Sequence, residues 1–300
     1  MAHKIHHFMK GDLQHTLQGR VWGLGAVRRK LYGPYFICIS TLVCSIAAGG
    51  MSNADDGMSE VSLNPRKREP AFNLPGSLVT ALAFLTFIHV ARTYLLSSQQ
   101  DDWILLEFAF ISARYLPQFM AESLAWVWTP VTYSFLHGSW EHLIFNSFWM
   151  VAFGAPVVRR IGTARFVLFW CLSAAASVAL HSLFHWGEMV VVIGASGVVS
   201  GLMGAAARFV FSPSGRISRQ FAHLNRRLTI REALSNRSVL VFSAIWFLTN
   251  FAIGFGQMFA GGDGASIAWE AHIGGFLFGF FFFPLFDRIP AVPAYGRAAD

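Results

Sequence analysis

Residues 190–210 form a long, almost uninterrupted apolar segment, VVVIGASGVVSGLMGAAARFV, which strongly constrains how the chain can fold. A run of about 20 apolar residues is long enough to cross a bilayer as a helix. The segment is also rich in Gly, Ala and Ser, which allow a neighbouring helix to approach closely in a membrane. It contains a serine in a glycine bracket, Gly194-Ala195-Ser196-Gly197. The segment is therefore either a tightly packed helix and nothing more, or a helix that carries a buried nucleophile.

The composition is that of a membrane protein. Hydrophobic residues make up 54% of the chain and charged residues only 13%, with 30 Phe and 10 Trp. The net charge of +7 comes from basic residues clustered between apolar runs, which indicates orientation in a bilayer and not nucleic-acid binding. Cys38, Cys44 and Cys171 lie in apolar stretches without a CxxC pair, so we expect no disulfide, metal site or cofactor.

Six apolar runs predict an all-α, polytopic membrane protein, a six-helix bundle with both termini cytoplasmic. Basic clusters precede the first run, separate the second from the third and the fourth from the fifth, and follow the sixth, as the positive-inside bias requires. The connection 99–125 has an amphipathic, aromatic middle at 103–116, which we expect to lie in the membrane interface. No internal repeat of the kind found in transporters is visible. The six predicted spans are 77–96, 141–158, 164–184, 190–210, 239–258 and 266–286.

The N-terminal 64 residues do not fit this pattern. Residues 35–48 carry no charge but are short for a span, and their insertion would place the basic N-terminal arm outside. We expect residues 1–64 to be an N-terminal extension whose first 50 residues are dispensable. The membrane domain is then 65–290, followed by a short cytoplasmic tail at 291–300.

Polar side chains inside spans are costly and are therefore candidates for a functional site. His142 and Asn146 are four residues apart and share one face near the start of the second span. On the sixth span, His272 shares a face with Gly275 and Gly279, beside which a small-faced partner can pack. Singly, each residue is explained equally well by packing or by hydrogen bonding within its helix. The predicted topology, however, places these residues and Ser196 at similar depth on the non-cytoplasmic side.

Acyl transfer is the chemistry that fits this combination. A serine hydroxyl is a weak nucleophile that needs an adjacent base, and the neutral imidazole of His272 is suited to that role. The oxyanion then needs hydrogen-bond donors, which Asn146, His142 and the backbone N–H of Ser196 offer. Glu270 is expected to point to another face, so the sequence predicts a Ser–His dyad.

These residues together resemble the rhomboid family of intramembrane serine proteases. Three ordered boxes carry the resemblance: GxSG at 194–197, HxxxxHxxxN at 137–146 and AHxxGxxxG at 271–279. The resemblance implies Ser196 as nucleophile, His272 as base, and His142 with Asn146 as the oxyanion hole, while His137 is usually structural. It also implies close packing through the motif glycines, a location in the cell inner membrane, and transmembrane segments of other proteins as substrates. The motif glycines are Gly194, Gly197, Gly201, Gly275 and Gly279.

The chain departs from the family pattern at three positions. Ser200 replaces an aromatic residue that often packs on the catalytic histidine, Trp128-Thr129 replaces a Trp-Arg pair, and Val158 replaces an acidic residue. Two alternative functions are a rhomboid-like protein that binds membrane clients without cutting them, and a small transporter with a histidine proton relay. Pseudoproteases of the first kind typically lack the serine or the histidine, and this chain retains both.

Overall fold

A computed structural model describes residues 74–212, 221–260 and 268–287 of the 300-residue chain. The predicted N-terminal extension 1–64, the uncharged run 35–48 and the tail 291–300 lie outside the described residues.

The described part of the chain is almost entirely helical. In chain order, its first half contains α1 (Gly76–Val90), α2 (Ser98–Phe108), β1 (Phe110–Ile111), α3 (Pro117–Met120), α4 (Ala125–Thr132), α5 (Trp140–Trp149) and α6 (Ala155–Ile161). Its second half contains α7 (Thr163–Phe184), β2 (Val191–Val192), α8 (Ser196–Ala207), α9 (Ile230–Ser235), α10 (Arg237–Ala260) and α11 (Trp269–Phe282). Two π-helical turns extend α1 and join α5 to α6; they are Ala91–Leu95 and Met150–Gly154. Short 3-10 turns lie at Ser112–Tyr115, Tyr133–Phe135, Ala222–Leu224 and Phe283–Leu285.

Each of the six predicted spans contains an apolar helix, although the lengths differ. By length and composition, the helices Gly76–Leu95 and Thr163–Phe184 are long enough to cross a membrane. The second predicted span is helical without interruption from Trp140 to Ile161, with the π-turn Met150–Gly154 in its middle. The sixth is helical only from Trp269 to Phe282 before it tightens into a 3-10 turn.

The prediction of one helix over 190–210 is wrong at its start. Val191 and Val192 are extended and pair antiparallel with Ile111 and Phe110, and the helix begins only at Ser196. β-branched valines favour an extended backbone, and Gly194, with a φ of +122°, interrupts any helix there. The 12 residues of α8 are about 18 Å long, well short of the roughly 30 Å of hydrocarbon. Ser196 therefore stands at the N-terminus of a short helix, after an extended approach.

The amphipathic segment 103–116, for which the sequence predicted an interfacial location and no particular secondary structure, contains a helix, a short strand and a 3-10 turn. The helix α2 starts earlier, where Ser97 and Gln100 form a reciprocal capping box, and it ends at Phe108. The chain then forms β1, which pairs with β2. Trp128, the first residue of the Trp-Thr pair that replaces Trp-Arg, donates its indole N–H to the Glu107 carbonyl at 2.9 Å. This hydrogen bond joins α4 to α2.

The distribution of polarity is that of a protein in lipid. Large apolar side chains are exposed on the outer faces of the helices, among them Phe87 on α1, Leu183 on α7 and Leu248 on α10. Polar side chains are instead buried between helices, including Ser173, Asn146 and several others. A surface of this kind is unfavourable in water but natural in a bilayer, where buried polar groups join helices.

A buried ion pair joins the end of α6 to the end of α11. Arg160 contacts Asp287 through two hydrogen bonds of 2.9 Å, and Arg227 contacts the same carboxylate at 2.8 Å. The side chains of Arg160 and Asp287 are both fully buried. Val158, at the position where an acidic residue was expected, lies in the apolar core, and Arg160 two residues later makes the helix-end contact.

The most extensive helix contact is between α8 and α11, and glycines permit it. A Cβ on Gly275 would overlap the carbonyl oxygen of Gly197, and a Cβ on Gly279 would overlap that of Gly201. The two backbones therefore touch directly, with glycine on both sides. The five motif glycines predicted to allow close packing lie at this contact or, for Gly194, beside His142 and Asn146.

We predict that Gly279→Ala destabilises the protein by about 1–3 kcal/mol, because the new methyl group has only the Gly201 backbone to displace. Gly76→Ala is the matched control, since a Cβ there meets nothing within 4 Å and the change should stay within about 0.5 kcal/mol. Unfolding of both variants in detergent micelles measures the difference. Equal stability of the two variants would contradict backbone contact between α8 and α11.

Candidate active site

The structure brings Ser196 and His272 into direct contact. Ser196 is the first residue of α8, and His272 lies in the first turn of α11. The Nε2 of His272 is 2.8 Å from the Oγ of Ser196, within hydrogen-bond distance. Both side chains are half-buried, so they are shielded but reachable. This is the arrangement in which an imidazole can take a proton from a hydroxyl.

Asn250 on α10 completes the arrangement, and the sequence did not predict it. Its Oδ1 lies 2.6 Å from the Nδ1 of His272, and its Nδ2 donates to the Trp246 carbonyl at 2.8 Å. Because the amide N–H group is used by the carbonyl, the oxygen must face His272. An oxygen acceptor at Nδ1 keeps the proton on that nitrogen and leaves Nε2 free to accept from Ser196. The available signal was an amide within an apolar run, the criterion that selected Asn146.

The loop before Ser196 is held by backbone hydrogen bonds. The N–H of Gly194 donates to the Tyr133 carbonyl at 3.0 Å, and the N–H of Ala195 donates to the Nε2 of His137 at 3.4 Å. The carbonyl of His137 in turn accepts from Arg92 at 3.2 Å. His137 therefore orients the approach to Ser196 and does not contact the serine–histidine pair through these bonds.

His142 and Asn146 lie beside the same loop. An ideal Cβ built on Gly194 would fall 2.6 Å from the Cε1 of His142 and 3.8 Å from the Nδ2 of Asn146. Asn146 is 3% exposed, and its buried Nδ2 has no hydrogen-bond partner among the described residues. A buried donor without a partner is costly, and such groups are often kept for a role in function. Because the Asn146 Nδ2 lies next to the loop that carries Ser196, it is placed to donate a hydrogen bond to an anionic oxygen there.

Ser200, at the position of the expected aromatic residue, faces inward. It is 4% exposed and donates to the carbonyl of Ser196 at 2.8 Å. Its hydroxyl is thus used within α8, one turn away from the nucleophile.

Comparison with known proteins identifies the family. A profile described as "Rhomboid domain" matches residues 125–288, more than half of the chain. The chain belongs to the rhomboid family. It is 29% identical over 153 residues to a protein named "Rhomboid protease GlpG" from Yersinia pestis (strain Pestoides F). It is 28% identical over 155 residues to a protein of the same name from Salmonella paratyphi A.

Both similarities cover 51% of this chain and 46% of the relative, so the chain spans about half the length of the curated relatives it matches. The segment 125–288 that the rhomboid profile matches includes all three predicted boxes and Asn250. The predicted family is confirmed, and this rhomboid is an all-α membrane protein.

We predict that Gly194→Ala lowers activity by about 10²–10³-fold, the scale of losing one oxyanion donor. The residue has a φ of +122°, which strains any side chain, and its methyl group would displace His142. Gly138→Ala is the control, since its Cβ would meet only Ile193 at an ordinary 3.6 Å. Initial rates on a transmembrane reporter substrate measure both. Similar rates for the two variants would remove Gly194 and His142 from the site.

We predict that Asn250→Ala lowers kcat by about 10–100-fold with KM unchanged, because His272 loses the partner that orients its ring. Thr249→Ala is a closely matched control. Thr249 donates to the Ile245 carbonyl at 2.8 Å, just as Asn250 donates to that of Trp246, so both variants lose one bond within α10. If the two variants lose activity equally, the contribution of Asn250 is to the helix and not to His272.

Proposed function

We propose that this rhomboid is an intramembrane serine endopeptidase that cleaves transmembrane segments of other membrane proteins. The contact of 2.8 Å between His272 Nε2 and Ser196 Oγ, with Asn250 at the other ring nitrogen, is the observation that carries the proposal. The serine contacts one ring nitrogen of the histidine and Asn250 contacts the other, which is the order of groups that activation of a hydroxyl requires.

In the first half of the reaction, Ser196 Oγ attacks the carbonyl carbon of the scissile peptide while its proton passes to His272 Nε2. The carbonyl oxygen becomes an oxyanion, for which Asn146 Nδ2, His142 and the first amide N–H groups of α8 are the candidate donors. The positive end of the α8 dipole also favours negative charge at this point. The tetrahedral intermediate collapses when the C–N bond breaks and His272 gives the proton to the leaving amine. The acyl half of the substrate then remains bound to Ser196 Oγ as an ester.

In the second half, water takes the place of the amine. His272 removes a proton from the water as its oxygen adds to the ester carbonyl. The bond to Ser196 Oγ then breaks, and the serine recovers its proton from His272. Asn250 accepts a hydrogen bond from Nδ1 throughout and acts as a positioning residue.

The proposed setting is the bacterial inner membrane, with six spans and both termini cytoplasmic. The basic segment 212–237, which leads from the end of α8 to the start of α10, carries six arginines at positions 216, 219, 226, 227, 231 and 237, so the positive-inside bias supports a cytoplasmic location for it. Ser196 and His272 then lie toward the opposite, periplasmic side. Substrates would have a small residue at the cut and a helix that unwinds easily nearby, since only an extended backbone can enter an oxyanion hole.

We predict that Ser196→Ala and His272→Ala each reduce cleavage of a transmembrane reporter by roughly 10⁶-fold, below detection, while the protein still folds. A serine-reactive phosphonate should label the wild type and fail to label Ser196→Ala. Ser200→Ala is the matched control, because it removes another hydroxyl from the same helix and should keep both cleavage and labelling.

The outcomes distinguish the protease from its non-cleaving alternative. Cleavage at the wild-type rate by either Ser196→Ala or His272→Ala would disprove the dyad. A folded wild type that binds transmembrane segments but is neither labelled nor able to cut would instead be a client-binding protein.

A further inference from the structure

A second cluster of reactive side chains lies where the end of α7 meets the start of α11. His181 and His185 are four residues apart and face the same direction, with their rings stacked at a centroid distance of 4.5 Å. Glu270, in the first turn of α11, faces both of them. One ligand atom from each residue can be chosen so that all three lie within 4.8 Å of one another.

Contacts within the cluster are incomplete. His181 is 1% exposed, and neither of its ring nitrogens has a hydrogen-bond partner among the described residues. Its Nδ1 lies 3.6 Å from Glu270 Oε2, which is too long for a hydrogen bond. A buried imidazole that makes no hydrogen bond is costly, and a cation at Nδ1 would accept the lone pair of that nitrogen.

The two carboxylate contacts of His185 are those expected of a histidine that binds a metal ion. The Nε2 of His185 lies 3.1 Å from Glu270 Oε1, and its Nδ1 lies 2.8 Å from the carboxylate of Glu188. A histidine that binds a metal through one nitrogen usually donates from the other to a carboxylate or carbonyl, which fixes the ring. Glu188 is placed to do this for His185.

We propose that His181, His185 and Glu270 bind one Zn²⁺ ion, with water as the fourth ligand. Two imidazoles and a carboxylate are a common zinc ligand set, and bonds of about 2.0–2.2 Å place tetrahedral ligand atoms roughly 3.3 Å apart. His185 Nε2 lies 3.1 Å from Glu270 Oε1 and His181 Nδ1 lies 3.6 Å from Glu270 Oε2, so each imidazole faces its own carboxylate oxygen at close to that spacing. The His185 side chain is 30% exposed and offers the ion a path from the aqueous side.

The ion would strengthen a connection between the two helix ends that His185 and Glu270 already make at 3.1 Å. Glu270 precedes His272 by two residues, so a metal at this site would fix the turn that carries the proposed base. The expectation of no metal rested on the absence of paired cysteines, and this site uses none. It stands apart from the serine–histidine pair, so it does not depend on the proposed protease activity.

Cobalt titration of the full-length protein tests the proposal. The chain is purified in detergent without a polyhistidine tag, stripped with chelator and titrated with Co²⁺, whose visible absorption reports tetrahedral nitrogen and oxygen ligands. Competition with Zn²⁺ then gives the zinc affinity. Both the wild type and Ser196→Ala should bind one ion, and Zn²⁺ should raise their unfolding midpoints.

His185→Ala and Glu270→Gln should each weaken binding by more than about 100-fold, and Glu188→Gln by about 10–100-fold because it only orients a ligand. Glu188→Gln keeps every ligand and is the informative variant should the other two fail to fold. Another concentrated source of imidazole is the N-terminal segment, with His3, His6, His7 and His15. Replacing these four with alanine should leave the Co²⁺ spectrum unchanged.

Three results would overturn the proposal. The first is that the wild type gives no tetrahedral Co²⁺ spectrum. The second is that Glu188→Gln, and whichever of His185→Ala and Glu270→Gln folds, bind the ion as tightly as the wild type does. The third is that binding is lost when the N-terminal histidines are replaced. None of them bears on cleavage, because every measurement can be made on Ser196→Ala without a substrate.

Discussion

Direct backbone contact between α8 and α11 is the constraint on which the site depends. In a bilayer, apolar side chains gain little from contact with one another, so helices associate through close packing and polar bonds. Gly275 and Gly279 on α11 and Gly204 on α8 lack the Cβ atoms that would hold the two helices apart. At this separation, a histidine one turn before Gly275 can reach the first residue of α8. Placing larger residues at these glycines would widen the gap between Ser196 and His272.

The start of α8 also explains why Ser196 differs from three buried serines whose hydroxyls bond within their own helices. Ser177, Ser182 and Ser200 each donate to the carbonyl four residues earlier in their own helix. Ser196 has no such acceptor, since the residue four positions before it, Val192, lies in β2. Its hydroxyl is therefore left for His272. The extended approach and its pairing with β1 thus have a chemical consequence.

Most of the helices and the serine–histidine pair could be predicted from the sequence, because apolar length and helical spacing are local signals. The break at 191–195 could not, since a run of valines suits a buried strand and a membrane helix equally until its partner is known. That partner, Phe110–Ile111, lies about 80 residues away in a segment that was expected only to lie in the membrane interface. Asn250 was missed for a related reason. Nothing in its own helix shows that it faces His272, 22 residues along the chain.

An amide in place of a carboxylate at position 250 fits the location of the site. A carboxylate beside His272 would stabilise the imidazolium more strongly, but placing a charge in the middle of a helix costs about 2.5–3.5 kcal/mol in a membrane. Asn250 has an oxygen of the same reach without the charge, and its own N–H group is satisfied by the Trp246 carbonyl. In the proposed mechanism it fixes the tautomer at little cost and leaves stabilisation of the transition state largely to the proposed oxyanion donors. The geometry of Asn146 and His142 would then supply more of the rate than the partner of the proposed base does.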